Sequence, residues 1–101
     1  MKIYLSGQIS GLSEKEYVRN FWDAEQEVKA KYCFEKSQIV NPIFIKPLFG
    51  VKKWFFYMFN DIKALRKCTH IAMLSNWKES KGACIEHYYA KFILKLKVNY
   101  L

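Results

Sequence analysis

The chain has 101 residues, 51% of them hydrophobic and 18% aromatic, enough for one compact core and too few for two domains. Its formal charge of +8, from 17 Lys and Arg against 9 Asp and Glu, favours an anionic partner, but lysines scattered from Lys46 to Lys97 form no dense basic block, so a nucleic-acid tract ranks below a small ligand. No apolar stretch, Trp54 to Phe59 included, approaches the roughly 20 residues of a membrane-spanning helix, and the opening MKIYLSG lacks the long apolar run of an export signal, so a cytoplasmic protein without a membrane span is expected.

Residues Lys2 to Ser6 alternate and carry the β-favouring Ile3 and Tyr4, and Gly7, Ser10 and Gly11 then break the pattern, as a first strand and its loop would. Ser13 followed by Glu16 has capping-box spacing, and Tyr17, Phe21, Ala24 and Val28 recur at helical intervals to about Lys31. Gln38 to Val40 predicts a short second strand that must end at Asn41-Pro42, because a residue preceding proline is pushed toward extended geometry. Ile43 to Gly50 predicts a loop and Val51 to Cys68 an aromatic-rich helix, with a second helix start available at Asn60-Asp61. His70 to Leu74 predicts the third strand and Ser75 to Lys81 a polar loop. Ser80 is placed to cap a helix whose inner face is Ala83, Glu86, Ala90 and Ile93, and Lys97 to Tyr100 predicts the last strand.

Strands thus alternate with segments long enough for crossover helices. The fold class is α/β, a three-layer sandwich around a mostly parallel sheet of four or five strands, flavodoxin- or Rossmann-like, in one domain over residues 1–101. In such sheets the ligand crevice lies outside the carboxyl ends of the strands. Two loops reach it, Ser6-Gly7-Gln8-Ile9-Ser10-Gly11 after the first strand and Ser75 to Gly82 after the third.

Glu86 stands out because its helix face is otherwise small and apolar, and a carboxylate buried without partners is costly. Its place in the second turn after Ser80 sets it near a helix amino terminus, which would keep it ionised and able to act as a nucleophile; a surface or salt-bridged glutamate is the plainer reading. Asp61 likewise falls among apolar neighbours, although an aspartate at a helix start can simply cap free amides. The Ser80-Lys81-Gly82 turn can present a hydroxyl and backbone N–H groups to a phosphate, and Gly7 and Gly11 would let the first loop approach the same ligand; either could also be only a turn. Cys33, Cys68 and Cys84, odd in number and without CxxC spacing, predict reduced, buried thiols. Cys84 and His87 lie three apart without a second ligand pair, so no metal and no cofactor is expected.

Taken together, Lys2-Ile3-Tyr4-Leu5-Ser6-Gly7 with Ile9-Ser10-Gly11, Val40-Asn41-Pro42, Trp54 with Tyr57-Met58, Asp61-Ile62, Met73-Leu74 with Trp77, and Ser80-Lys81-Gly82-Ala83 with Glu86 resemble a family of short, uncharacterised bacterial and phage proteins. That family is similar to nucleoside 2-deoxyribosyltransferases and nucleotide N-glycosidases. The resemblance implies that Glu86 attacks the anomeric carbon of a nucleoside or nucleotide while the base leaves, in the manner of retaining glycoside chemistry. It implies further that Asp61 contacts the sugar or helps protonate the base, that Tyr4 orients Glu86, and that Ser80 and Gly82 hold a 5′-phosphate. Two positions depart from the family pattern: Thr69 where an aspartate is usual, expected to alter a helix-end cap, and Gln8 where a proline is usual, expected to alter the first loop. Characterised transferases complete their sites from a neighbouring subunit, and the aromatic run Trp54, Phe55, Phe56, Tyr57 and Phe59 is apolar all round, so a homodimer or higher homo-oligomer is expected. The competing readings are a non-catalytic module that binds or sequesters a nucleotide-derived ligand in the same crevice and, ranked third, a nucleic-acid-binding protein.

Overall fold

Successive residues of a strand point to opposite faces of its sheet, and the first strand uses both faces for burial. All four residues of β1 (Ile3–Ser6) are buried, as expected of a central strand in a parallel sheet. β2 (Ile39–Val40), β3 (His70–Met73) and β4 (Lys97–Tyr100) complete a four-stranded sheet in the order β2-β1-β3-β4. Every pairing is parallel, and the register sets Tyr4 beside Ile71 and Ser6 beside Met73. The computed structural model describes the backbone of residues 1–44 and 54–101, with the side chains of all of these except 44 and 54–59.

α1 (Glu14–Tyr32) begins in the expected capping box, with Ser13 and Glu16 each accepting from the other's backbone N–H, and acidic first-turn and basic last-turn residues complement the helix dipole. It ends where Cys33 adopts φ 60, a left-handed stop usually given to glycine. Phe21, Ala24 and Val28 form its inner stripe and pack with Ile3, Leu5, Ala72 and Leu74 on one face of the sheet. Glu25 is also buried on α1, where it meets Lys36 at 3.3 Å and Lys29 at 3.7 Å, tying the 3₁₀ turn Lys36–Gln38 to the helix.

The opposite face carries Tyr4, Ile71 and Met73, covered by Leu65 of α2 (Trp54–Leu65) and by Ala83 and Ala90 from the final helical segment. Right-handed crossovers require this division: the chain moves one way along the sheet from β1 to β2 and the other way from β2 to β3 and β4, so α1 lies on one side, α2 and α3 (Lys81–Tyr88) on the other. The arrangement is α/β and consistent with a Rossmann-like fold.

Several boundaries differ from the sequence expectation. Gln38 belongs to the 3₁₀ turn before β2, and Pro42–Phe44 forms another where a loop was expected. α2 runs unbroken through Asn60 and Asp61, so Asp61 is not a cap but lies inside a helix. The chain leaves α2 at Leu65, with Cys68 N–H bonding to the Leu65 carbonyl in a tighter turn. Beyond α3 the helix widens into a π-turn, Tyr89–Ile93, whose larger repeat carries Ile93 off the inner face: Ala83, Glu86 and Ala90 are buried, Ile93 is 54% exposed. Of the three cysteines only Cys68 is buried; Cys33 and Cys84 are exposed because one ends a helix and the other lies on the outer side of α3. All three are free thiols. Residues 45–53 and the aromatic side chains of Trp54 to Phe59 lie outside the described residues, and with them the expected loop to Gly50, the helix start at Val51 and the apolar aromatic face.

Gly7 follows β1 where the chain crosses Leu74. A Cβ on Gly7 would stand 2.8 Å from both Cβ and Cδ2 of Leu74, so the end of β1 must shift to admit one. Gly7→Ala is expected to destabilise the fold by about 1–3 kcal/mol through overpacking, measured by urea denaturation.

Candidate functional site

The face of β1 that points toward α2 and α3 presents Tyr4 and Ser6, two residues apart and therefore side by side. Both side chains are wholly buried. Above them Glu86 projects from the second turn of α3 and is only 5% exposed. The Tyr4 hydroxyl donates to Oε2 of Glu86 at 3.0 Å and the Ser6 hydroxyl to Oε1 at 2.7 Å, so each carboxyl oxygen has its own donor. Asp61, from the interior of α2, completes the cluster, close enough to Glu86 and Tyr4 for each to shift the titration of the others. A continuous α2 is what delivers it there: a helix restarting at Asn60 would have used the Asp61 carboxylate on its own free amides.

Burial dominates the electrostatics. It drives the Glu86 carboxyl well above the usual carboxylate range, the neighbouring Asp61 drives it further, and the hydrogen bonds from Ser6 and Tyr4 oppose both. Desolvation and a like charge thus act against the ionised form that a helix amino terminus was expected to favour, and the two hydroxyl donors act with it. Asp61 is raised by burial to about 6. Burial, then Glu86 and Asp61, raise Tyr4 well above its ordinary value, so the phenol keeps its proton. Two carboxyls in contact titrate as a unit, and once the first proton has left, at about 6, the pair holds one proton and one negative charge until the second leaves. A buried pair in that state offers an acid and a nucleophile or base together.

The remaining expected residues fall in two groups. Ser80 caps α3, its oxygen accepting from Ala83 N–H at 3.1 Å, and Gly82 follows in the first turn. The Ser80 N–H itself donates to the Trp77 carbonyl at 3.1 Å, and the start of α3 lies at the same end of the sheet as the loop after β1. In that loop Gly11 has φ +88 and Ser10 is exposed, whereas Gly7 is packed on Leu74. Ser6, expected with the ligand-holding residues, is instead covered and bonded to Glu86; the same two-residue period that pairs it with Tyr4 carries this information in the sequence. The two loops are joined to each other: Gln8 N–H donates to Asn76 Oδ1 at 3.2 Å, and the Gln8 side chain donates to the Ser10 carbonyl at 3.1 Å. A proline at position 8 could not make the first of these bonds. Thr69 is not a helix cap, since its hydroxyl donates to the Lys2 carbonyl at 3.0 Å and fastens the start of β1 to β3.

Elsewhere, His87 stacks on Trp77 at 4.3 Å between centroids and bonds the Tyr100 hydroxyl at 2.7 Å, while the Cys84 thiol faces the carbonyls of Trp77 and Lys78; the two do not converge. Among the described residues no group of three or more His, Cys, Asp or Glu could hold a metal, and no helix is long and apolar enough to cross a membrane. A hollow of about 210 Å³ lies on the α1 side, lined by Asn20, Asp23, Glu27, Leu74, Asn76 and Leu101 among others; it is across the sheet from Glu86.

The chain matches the family described as "Domain of unknown function (DUF4406)" over residues 1–100, essentially its full length, and it belongs to that family. No match was found among curated proteins or among solved structures. Nothing in these comparisons links the chain to nucleoside 2-deoxyribosyltransferases.

The folded pKa values of Glu86 and Asp61 both exceed their unfolded ones, so the folded chain holds protons that the unfolded chain has released. The pair's stabilising effect is complete below about pH 4 and is lost as pH rises through about 6, the Asp61 value, and beyond it for Glu86. The Asp61 shift alone corresponds to roughly 3 kcal/mol, or a melting temperature lower by on the order of 10 °C. Glu86→Gln is expected to flatten this decline while leaving His70 and His87, whose lowered pKa values act in the opposite sense, unchanged. Melting curves of both proteins across pH 4.5 to 8 provide the check.

Proposed function

For this member of a family with no assigned activity, we propose cleavage of an N-glycosidic bond, or transfer of its deoxyribosyl group, in a nucleoside or nucleoside 5′-monophosphate, with Glu86 as nucleophile. The observation that carries the reading is the carboxyl pair: Glu86 with a hydroxyl donor on each oxygen, beside a second carboxyl held near neutral pKa. A buried acid–base pair at the carboxyl end of a parallel sheet lies where α/β proteins bind ligands, and covalent capture by one carboxylate divides a difficult displacement into two easier steps.

In the first step an oxygen of ionised Glu86 forms a bond to the anomeric carbon as the bond from that carbon to the base nitrogen breaks. The bonding electron pair leaves with the base, which takes the proton carried by Asp61. In the second step water, or the nitrogen of another base, attacks the same carbon and gives its proton to the Asp61 carboxylate; the ester bond breaks and Glu86 is ionised again. Tyr4 holds the nucleophile's plane throughout. Ser80, Gly82 and the amides at the start of α3 suit a 5′-phosphate by the general affinity of helix amino termini for anions, with Ser10 and Gly11 on the opposite loop.

The scarcely exposed Glu86 also fits a second reading, a module that binds a nucleotide-derived ligand in the same crevice without turnover. Both readings include self-association, for which exposed Ile85, Tyr88 and Phe92, spaced as a stripe along the outer side of α3 and the π-turn, offer apolar surface.

The two readings separate on a panel of ribo- and deoxynucleosides and their 5′-monophosphates, with free base followed by chromatography. Base release from at least one compound, falling by more than about 10³-fold in Glu86→Ala, is the expected result, together with a glycosyl adduct on Glu86 by mass spectrometry. Thermal stabilisation by one nucleotide without base release would favour the binding module, and release undiminished in Glu86→Ala would remove Glu86 as the nucleophile.

A further inference from the structure

Within the cluster the groups that can shift a proton between the two carboxyls are few. Tyr4 on β1, Asp61 on α2 and Glu86 on α3 face one another, with Cys68, in the turn before β3, the next titratable group acting on Tyr4. Tyr4 discriminates less, because its hydroxyl donates to Glu86 at 3.0 Å but also favours the charged form of Asp61. Ser6 does discriminate. Its hydroxyl reaches Oε1 of Glu86 at 2.7 Å, and a hydroxyl has a single proton, so nothing is left for Asp61.

We propose that Ser6 is a positioning residue: by donating to Glu86 alone it fixes the plane of that carboxyl and steers the pair's shared proton onto Asp61, making Glu86 the charged member and Asp61 the acid. A hydrogen bond donated to a carboxylate is stronger than one donated to the neutral acid, and more so out of water. With two oxygens of Glu86 occupied by two separate donors, the remaining proton is best placed on Asp61, from which it can itself be donated to Glu86 or to the Tyr4 oxygen. The serine cannot drift from this duty. Its carbonyl accepts from Leu74 N–H at 2.8 Å, its neighbour in the ladder is Met73, and its side chain is wholly buried, so it is covered from a substrate in the crevice.

The catalytic consequence rests on the function proposed above, but the proton's location can be read without any turnover. Carbon-13 spectra of the side-chain carboxyls, taken on the full chain with labelled Asp and Glu across the pH range, are expected to show both carboxyls protonated below the pair's first transition at about 6, and Glu86 ionised with Asp61 still protonated between that transition and the second. In Ser6→Ala the Glu86 resonance should move to its protonated position and its transition to higher pH, with the amide spectrum retained; Ser6→Cys, which keeps the size and weakens the donor, should fall between, and it decides the matter if the alanine variant does not fold. Base release, where present, should fall roughly ten- to hundredfold in kcat, the value of one charge-assisted hydrogen bond, with KM little changed. A wild-type chain in which Glu86 is the protonated partner, or carboxyl titrations unaltered in a folded Ser6 variant, would overturn the assignment. If no nucleoside or nucleotide is turned over, the proposed activity fails while the titrations still judge Ser6.

Discussion

A glutamate carboxyl taken out of water is tolerated only where its oxygens are satisfied, and the structure around Glu86 is arranged to meet that condition. Both donors come from one strand, spaced by the two-residue period of β geometry, so the demand falls on β1 as a whole: Tyr4 and Ser6 must face α3 while Ile3 and Leu5 face α1. A slip of one residue would exchange the two sets and leave the carboxyl facing leucine and isoleucine. The central strand of the sheet and the chemistry of the site therefore share one register.

Topology then determines which other groups can reach the cluster. The reversal of chain direction between β2 and β3 puts α2 and α3 on the same side, so an acid on each can meet over β1. A pair split between the two faces of the sheet would be separated by about 10 Å of packed side chains. Gly7 serves the same geometry from below: without a Cβ, the end of β1 can lie against Leu74 as Leu74 N–H bonds to the Ser6 carbonyl, which brings the loops after β1 and β3 together at the mouth of the site.

Much of this was legible in the sequence. Alternation at Ile3 to Ser6, the Ser13 and Glu16 spacing, and an acid in the small apolar face of residues 83 to 90 lead directly to β1, α1 and Glu86, because each rests on a short-range periodicity. What was not legible depended on competition between local and tertiary terms. Asp61 looked like a helix start because aspartate caps well in isolation, but continuous α2 packing overrode it. Ile93 looked buried because a 3.6-residue repeat was assumed through Tyr89, where the helix widens. For Glu86 a helix dipole can be read from sequence, whereas desolvation and the approach of Asp61, which oppose its charge, cannot. Ser6 looked like part of a ligand loop because it adjoins Gly7, although the strand period already placed it beside Tyr4.

The residues that break local rules are the ones that converge. An acid in the interior of an aromatic-rich helix, an acid on a small-residue helix face, and a tyrosine and a serine in a fully buried strand are each unfavourable choices for stability alone; leucine or alanine at any of them would agree better with its surroundings. Glu25 shows the contrast, since it is as buried as Glu86 but is neutralised by Lys29 and Lys36 and so fastens a turn. Among the described residues the partners shown for Glu86 are two hydroxyls and another acid. Hydroxyl donors stabilise a carboxylate without cancelling its charge, and an acid beside it stores a proton. That combination gives little to the fold above neutral pH, but in the proposed reaction it would leave the negative charge available to an electron-poor carbon and keep a proton next to a departing nitrogen.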